Sequence, residues 1–317
     1  MNRGVLCAGI IVADHISSPI SHVPAAGELV LAEQMLLTLG GCAANVAVDL
    51  VKLGVPARVA CCVGDDIFGQ VVGGMLREAG VDVSGMTELS GQTTSQTLIV
   101  NVRKQDRRFI HTFGANAQFG IEHLPMPTEN EGILYLGGYL ILPRMDPMAL
   151  ATRFRAARAA GLKTVLDVVT PGPADYLPAL LPLLPEVDVF LPNDHEAKLI
   201  CGVDDPLAQA RFFHERGAAT VLITQGERGC VLVQDGLHLR AGAFAMDYVD
   251  GTGGGDAFAA GYMAGMLAGL DAEGCLRLAS AVGASCVRAL GTTAGVFTRA
   301  EAEAFIAKHP LPVERLK

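Results

Sequence analysis

Short apolar runs alternate with helix-like stretches along most of the chain. Residues 4–10, 57–63, 132–136, 163–168, 187–191 and 219–224 are apolar runs of strand length. Runs of this kind fit strands buried on both faces. Between them, residues 40–53, 70–79, 147–160, 195–201 and 206–216 predict helices. In the first of these, Val46, Leu50 and Leu53 share one face and Gly54 closes the helix. Residues 257–270 are small and apolar throughout, which reads as a buried helix. Strands alternating with helices predict an α/β fold with a mostly parallel sheet covered by helices on both faces.

The alternation breaks twice. Residues 97–102 and 108–113 are strand-like and flank the polar turn 103–107, which predicts a hairpin. Residues 16–39 are irregular or strand-like, and Pro19 and Pro24 break any helix there. Together, about 16–39 and 94–116 predict a small β-sheet projecting from the main body as a lid. Residues 229–234 and 237–241 predict a late hairpin around Asp235-Gly236. No repeat or disordered linker divides the chain, so residues 1–317 are expected to form one domain.

Charge and composition narrow the function. The chain has 317 residues, half of them hydrophobic, and a net charge of -9. That balance excludes a nucleic-acid partner, which needs a basic face. No apolar run is long enough for a membrane span, and the N-terminus lacks a secretory signal pattern. The eight cysteines are scattered without a CxxC pair, so they are expected to be reduced thiols in a cytoplasmic protein. The histidines lack metal-ligand spacing, and neither HExxH nor G-x-S-x-G occurs.

The stretch Asp250-Gly251-Thr252-Gly253-Gly254-Gly255-Asp256 precedes the small apolar helix. Glycines at a helix start leave backbone amides uncovered, and the helix dipole favours an anion there. A carboxylate beside an anion cradle, Asp256, has an obvious task in taking a proton from a hydroxyl. Such an arrangement serves phosphoryl transfer. The loop also reads as a glycine-rich turn in which Asp256 complements the helix dipole. It fits neither the P-loop nor the G-x-G-x-x-G fingerprint, which leaves a nicotinamide-dependent dehydrogenase without its motif. Asn193 and Glu196 have capping-box spacing, which explains both without chemistry. Asp14 follows the first strand and reads as a turn residue or as a ligand contact.

Taken together, the segments resemble the PfkB/ribokinase family of carbohydrate and nucleoside kinases. Gly40-Gly41-x-x-x-Asn45 is similar to the family's N-terminal glycine motif, and Asp250-x-Thr252-Gly253-Gly254-Gly255-Asp256 to its C-terminal signature D-T-x-G-A-G-D. Gly64-Asp65-Asp66-x-Phe68-Gly69, Gly114-Ala115-Asn116, Asn193-x-x-Glu196 and Thr224-x-Gly226-x-x-Gly229 follow in the expected order. The resemblance spans nearly the whole chain.

It implies a ribokinase-like fold and an ATP-dependent phosphotransferase acting on a small sugar or sugar derivative. Asp256 would be the base, and the amides of Gly253, Gly254, Gly255 and Asp256 the anion hole. Asp14, Gly40, Gly41, Asn45 and Asn116 would contact the sugar. Asn193, Thr224, Gly226 and Gly229 would line the ATP site, with Glu196 organising Mg2+ through water. Asp250 and Thr252 stand where a monovalent cation, K+, would bind. A homodimer through the lid would cover its apolar face and edges. Alternatives are a nucleoside kinase of the same fold or a non-catalytic sugar-binding protein. Gly251 and Gly254 depart from the signature, and Gly137-Gly138 replaces a substrate-binding carboxylate found in some ribose and fructose kinases. Arg103, Lys104, Arg107 and Arg108 around the hairpin turn read as a solvated tip or as contacts for a phosphorylated sugar.

Overall fold

The structure, a computed structural model, describes residues 3–105 and 108–316. Of the basic hairpin tip, Arg107 lies outside the described residues.

In chain order the elements begin with β1 (Gly4–Gly9), β2 (Val12–Ser17), β3 (Met35–Gly40), α1 (Cys42–Lys52), β4 (Ala57–Gly64), α2 (Ile67–Glu78), β5 (Asp82–Leu89), β6 (Gln96–Val100) and β7 (Arg108–Thr112). They continue with β8 (Glu131–Gly137), α3 (Pro147–Ala159), β9 (Lys163–Leu166), α4 (Leu177–Leu180), β10 (Val189–Phe190), α5 (Asp194–Cys201), α6 (Pro206–His214), β11 (Thr220–Thr224), β12 (Cys230–Gln234) and β13 (Leu237–Ala241). The C-terminal part holds α7 (Gly254–Leu267), α8 (Ala272–Cys286), α9 (Arg299–Lys308) and β14 (Val313–Arg315).

The large sheet has the order β14-β13-β12-β11-β10-β9-β8-β1-β4-β5. From β11 to β5 neighbouring strands run parallel, and β12, β13 and β14 continue the sheet antiparallel. Apart from the edge strand β5, the parallel part is buried on both faces. Along β1, Val5 and Cys7 join the core under α1, α7 and α8, while Leu6 and Ala8 join the core under α3, α5 and α6. This is the period-2 alternation of a strand sandwiched between helices.

The small sheet has the order β3-β2-β6-β7. Strand β2 pairs antiparallel with β3 and parallel with β6, and β6–β7 form the expected hairpin. The lid starts earlier than the expected residue 16. β2 opens at Val12, two residues after β1 ends, so Asp14 lies within a strand and not in a turn. The abrupt exit from β1 depends on Gly9, whose φ of 128° is open to glycine and whose missing side chain leaves room for the backbone of Gly137.

Among the described residues, five elements were not expected from the pattern: β5, α4, α8, α9 and β14. β5 is an edge strand whose residues alternate between exposed and half-buried positions, so it carries little apolar signal. α7 and α8 are both built from small residues because they pack closely. A Cβ on Gly261 would stand 2.8 Å from the Ala279 Cα.

Candidate active site

The N-termini of α1 and α7 meet beside the carboxyl ends of the parallel strands. α1 starts at Gly41, which takes φ 88° and would, with a side chain, press on the Ile10 carbonyl at 2.5 Å. One turn into the helix, Asn45 is buried and its Nδ2 donates to Asp256 Oδ2 at 2.8 Å. Asp256 lies in the first turn of α7 and keeps part of its surface accessible. Burial pushes its carboxyl above the usual range, and the bonds from Asn45 and Cys42 pull it back.

The lid contributes Asp14 to the same cleft. It is 6% exposed and bonded to Thr97 on β6. Its pKa is pushed up to about 7, first by burial and then by the nearby Asp256, against the Thr97 bond. Gly40 is part of this arrangement, because a Cβ there would overlap the Asp14 carboxylate.

The loop before α7 is held by its own polar groups. Asp250 Oδ1 accepts from the amide and hydroxyl of Thr252 at 3.0 and 2.7 Å. Its Oδ2 accepts from the Gly291 amide at 3.1 Å, joining this loop to the one that follows α8. The Cys286 thiol donates to the carbonyls of Thr252 and Thr292. Gly253, with φ 84°, caps α7 and packs against the Thr292 carbonyl. Gly255 differs: a Cβ built there meets no atom within 4 Å, so a side chain at this position would face open space. The first amides of α7 have no partner within the helix, which makes this an anion-accepting surface.

Across the cleft, Asn193 and Glu196 do form a capping box on α5. Glu196 N donates to Asn193 Oδ1 at 2.9 Å, and Asn193 N to Glu196 Oε2 at 3.0 Å. The Glu196 carboxyl is also electrostatically tied to the cleft. Its pKa is raised to about 7, mainly by burial and with a contribution from Asp256. Asn193 bridges to Thr224 at the end of β11. Gly226 (φ 57°) has open space around it, whereas Gly229 (φ 87°) is glycine because a side chain would strike the end of β13.

Two motifs have structural tasks. Asp66 caps α2 through the Gly69 amide and also accepts from the Thr94 hydroxyl at 2.6 Å. Asn116 is 1% exposed and bonds Ile11 both ways: its Oδ1 accepts from Ile11 N at 3.3 Å, and its Nδ2 donates to Ile11 O at 2.9 Å. It pins the two residues between β1 and β2 and does not present its amide to the cleft.

Four residues in or beside the site escaped the sequence reading. Asp167 follows β9, and its Oδ2 accepts from the Tyr135 hydroxyl at 3.0 Å. Burial, Asp256 and Glu196 push its carboxyl well above the usual range. Cys42 and Tyr135 fill the space beside Gly137, where a Cβ would stand 2.5 Å from the Tyr135 hydroxyl and 2.6 Å from the Cys42 Cβ. Asp49, one turn after Asn45 on α1, is fully buried with neither oxygen bonded to protein. The nearest available signal was a carboxylate just past a buried strand, Asp167, where open α/β sheets place ligand groups.

Asp14, Asp167, Glu196 and Asp256 thus share one cleft, and no cation is among the groups that shift any of them. Such a cleft has hydrogen-bond acceptors for hydroxyls, a basic carboxylate, and helix amides for an anion. Uncompensated negative charge at its floor also fits a divalent cation.

Residues 2–299 match the pfkB family carbohydrate kinase. The chain is 26% identical over 314 residues to a ribokinase of Haemophilus influenzae, covering 96% of this chain and 99% of that protein. It is 29% identical over 253 residues to a cytidine kinase of Thermococcus kodakarensis, covering 75% and 84%. Its fold superimposes with a TM-score of 0.83 on a putative ribokinase II from E. coli in complex with ATP and Mg2+, at 23% identity and with 97% and 100% of the two chains covered. The fold is ribokinase-like, and by its sequence match the chain belongs to the pfkB family of carbohydrate kinases.

Proposed function

We propose that this kinase moves the γ-phosphoryl group of ATP to a hydroxyl of a small, uncharged sugar or sugar derivative. The observation that carries the reading is the Asn45–Asp256 pair at the N-terminus of α7. Asp256, raised above its ordinary range, is suited to accept the hydroxyl proton. The amides of Gly253, Gly254, Gly255 and Asp256 lie where negative charge on the transferring group can be stabilised. One such donor contributes about 3 kcal/mol. Asp14, held by Thr97 and given room by Gly40, orients the sugar together with Gly41 and Asn45.

The ATP side would be lined by Asn193, Thr224, Gly226 and Gly229, with the openness around Gly226 leaving room for the nucleotide. Glu196 would hold Mg2+ through water, and the carboxylate of Asp167 adds negative charge to that side of the cleft. Mg2+ held there would supply neutralisation of the negative charge that develops during transfer. Asp250 and Thr252 would adjoin a K+ site. Their side chains are already bonded to each other and to Gly291, so the loop does not wait for the ion to be ordered.

The all-carboxylate cleft favours an uncharged acceptor over a sugar phosphate, which needs cations. The similarity to a cytidine kinase keeps a nucleoside as the second reading. We read the chain as one kinase unit in which the small sheet is the lid. Its exposed Met35, Leu98, Phe109 and Ile110 favour a homodimer through that sheet. The eight free thiols fit a cytoplasmic setting. Among the described residues, no helix is long and apolar enough to cross a membrane.

The test is ADP release from Mg·ATP across pentoses, hexoses, sugar acids, sugar phosphates and nucleosides, with Asp256→Asn as control. Substrate-dependent release lost in the variant supports the reading. A best substrate carrying a phosphate would overturn the uncharged acceptor. A nucleoside as best substrate would replace the sugar.

A further inference from the structure

Beside Asp256 and Asp167 stands a buried thiol, Cys42, that the phosphoryl-transfer reading does not use. Cys42 Sγ and one carboxylate oxygen each of Asp167 and Asp256 all lie within 4.8 Å of one another. Cys42 is buried, while both carboxylates remain accessible from the cleft. In a tetrahedral zinc centre, one thiolate and two carboxylate donors stand about 3.4–3.6 Å apart, given Zn–S near 2.3 Å and Zn–O near 2.0–2.2 Å. Movements of about 1 Å or less by short side chains close that difference.

The surroundings match what metal ligands require. The Tyr135 hydroxyl donates to Asp167 Oδ2, and the Val168 amide to Asp167 Oδ1 at 2.8 Å. Asn45 donates to Asp256 Oδ2. Each carboxylate is thus oriented by an outer partner, the arrangement that fixes first ligands around a metal. The same Asn45 carboxamide leaves its Oδ1 buried, at 3% residue exposure, with no protein partner. It is an unsatisfied acceptor at the edge of the cluster, and buried acceptors without partners are costly.

We infer that Cys42, Asp167 and Asp256 form a Zn2+ site at the floor of the cleft, filled when the acceptor sugar is absent. The thiol selects a borderline cation over Mg2+, which prefers oxygen donors and octahedral geometry. On binding, the Cys42 S–H proton leaves to solvent and a Zn–S bond forms, with no change in oxidation state. The cation would then engage Asp256 and block the floor of the cleft. The site is therefore inhibitory, and sugar and Zn2+ exclude one another.

The full-length protein, without nucleotide, is titrated with Co2+ as a spectroscopic probe and then with Zn2+ against a chromophoric chelator. The expected result is a tetrahedral cobalt spectrum with a thiolate-to-cobalt charge-transfer band, lost on adding Zn2+. Cys42→Ser should abolish the band and weaken Zn2+ at least about tenfold, and Asp167→Asn should weaken it comparably. Cys201→Ser, the half-buried thiol on α5, should keep both. Circular dichroism establishes that each variant is folded. Equal Zn2+ affinity in wild type and Cys42→Ser, or in wild type and Asp167→Asn, overturns the site. So does an octahedral cobalt spectrum without charge transfer, or displacement by Mg2+ at equal concentration. None of these readouts depends on turnover, so the site and the kinase reading fail separately.

Discussion

The Asn45 carboxamide donates to Asp256 Oδ2 across 2.8 Å, joining the first turns of α1 and α7 over 211 residues of sequence. The bond orients the carboxylate and favours its ionised form. If Asp256 is the base, Asp256→Asn should keep the fold and lower kcat by about 10²–10⁴-fold. A turnover assay with thermal unfolding as the folding control checks this. A variant within a few-fold of wild type removes Asp256 from that role.

Asn45→Asp should be worse than Asn45→Ala. Alanine removes one hydrogen bond to a charged group, about 1.5–3 kcal/mol. Aspartate puts a second carboxylate against the first, so the two cannot both ionise easily. The acid limb of the kcat/KM profile should move to higher pH in Asn45→Asp and much less in Asn45→Ala. Coincident profiles would show that Asn45 acts on position alone.

Much of this site was legible because its residues sit in local motifs. Gly40-Gly41 with Asn45, the glycines before Asp256, and the Asn193–Glu196 cap are each short spacings with a backbone reason. What the sequence did not disclose depends on closure of the fold. Asp167 acquires its meaning from Tyr135, 32 residues earlier on the neighbouring strand. The Asn116 amide finds Ile11 105 residues away, so a residue that looked like a ligand contact is a pin between strands. Asp49 belongs to no local motif, and its burial follows from α1 being buried on all sides over most of its length.

Gly40 and Asp14 give a specificity prediction. A side chain at Gly40 overlaps the Asp14 carboxylate, so Gly40→Ala must push Asp14 or β3 aside. The sugar KM should rise about tenfold or more, equivalent to about 1.4 kcal/mol. The KM for ATP should move much less, because the nucleotide side lies across the cleft. Steady-state kinetics in both substrates separate these. A change confined to the KM for ATP would contradict the placement of Asp14 on the sugar side.

Buried carboxylates also set a pH dependence for the protein without substrate. Asp14 and Glu196 are raised to about 7, and Asp49 and Asp167 lie well above the ordinary carboxylate range. With folded-state values above the unfolded ones near 4, the native protein binds more protons than the unfolded chain across that window. Stability therefore falls as pH rises through it. The melting temperature of the free protein should decline between about pH 5 and pH 8, against the common expectation that carboxylates stabilise once ionised. Asp49 is the sharpest probe, because both of its oxygens are buried without protein partners and burial is the main cause of its shift. Asp49→Asn removes that ionisable proton and keeps the shape. Its stability relative to wild type should improve as pH increases, by about 1.4 kcal/mol per unit of pH in the range where wild-type Asp49 is protonated only in the native state. Chemical denaturation at pH 5, 6.5 and 8 measures the difference. A constant offset at all three values would mean that Asp49 titrates alike in the folded and unfolded chains.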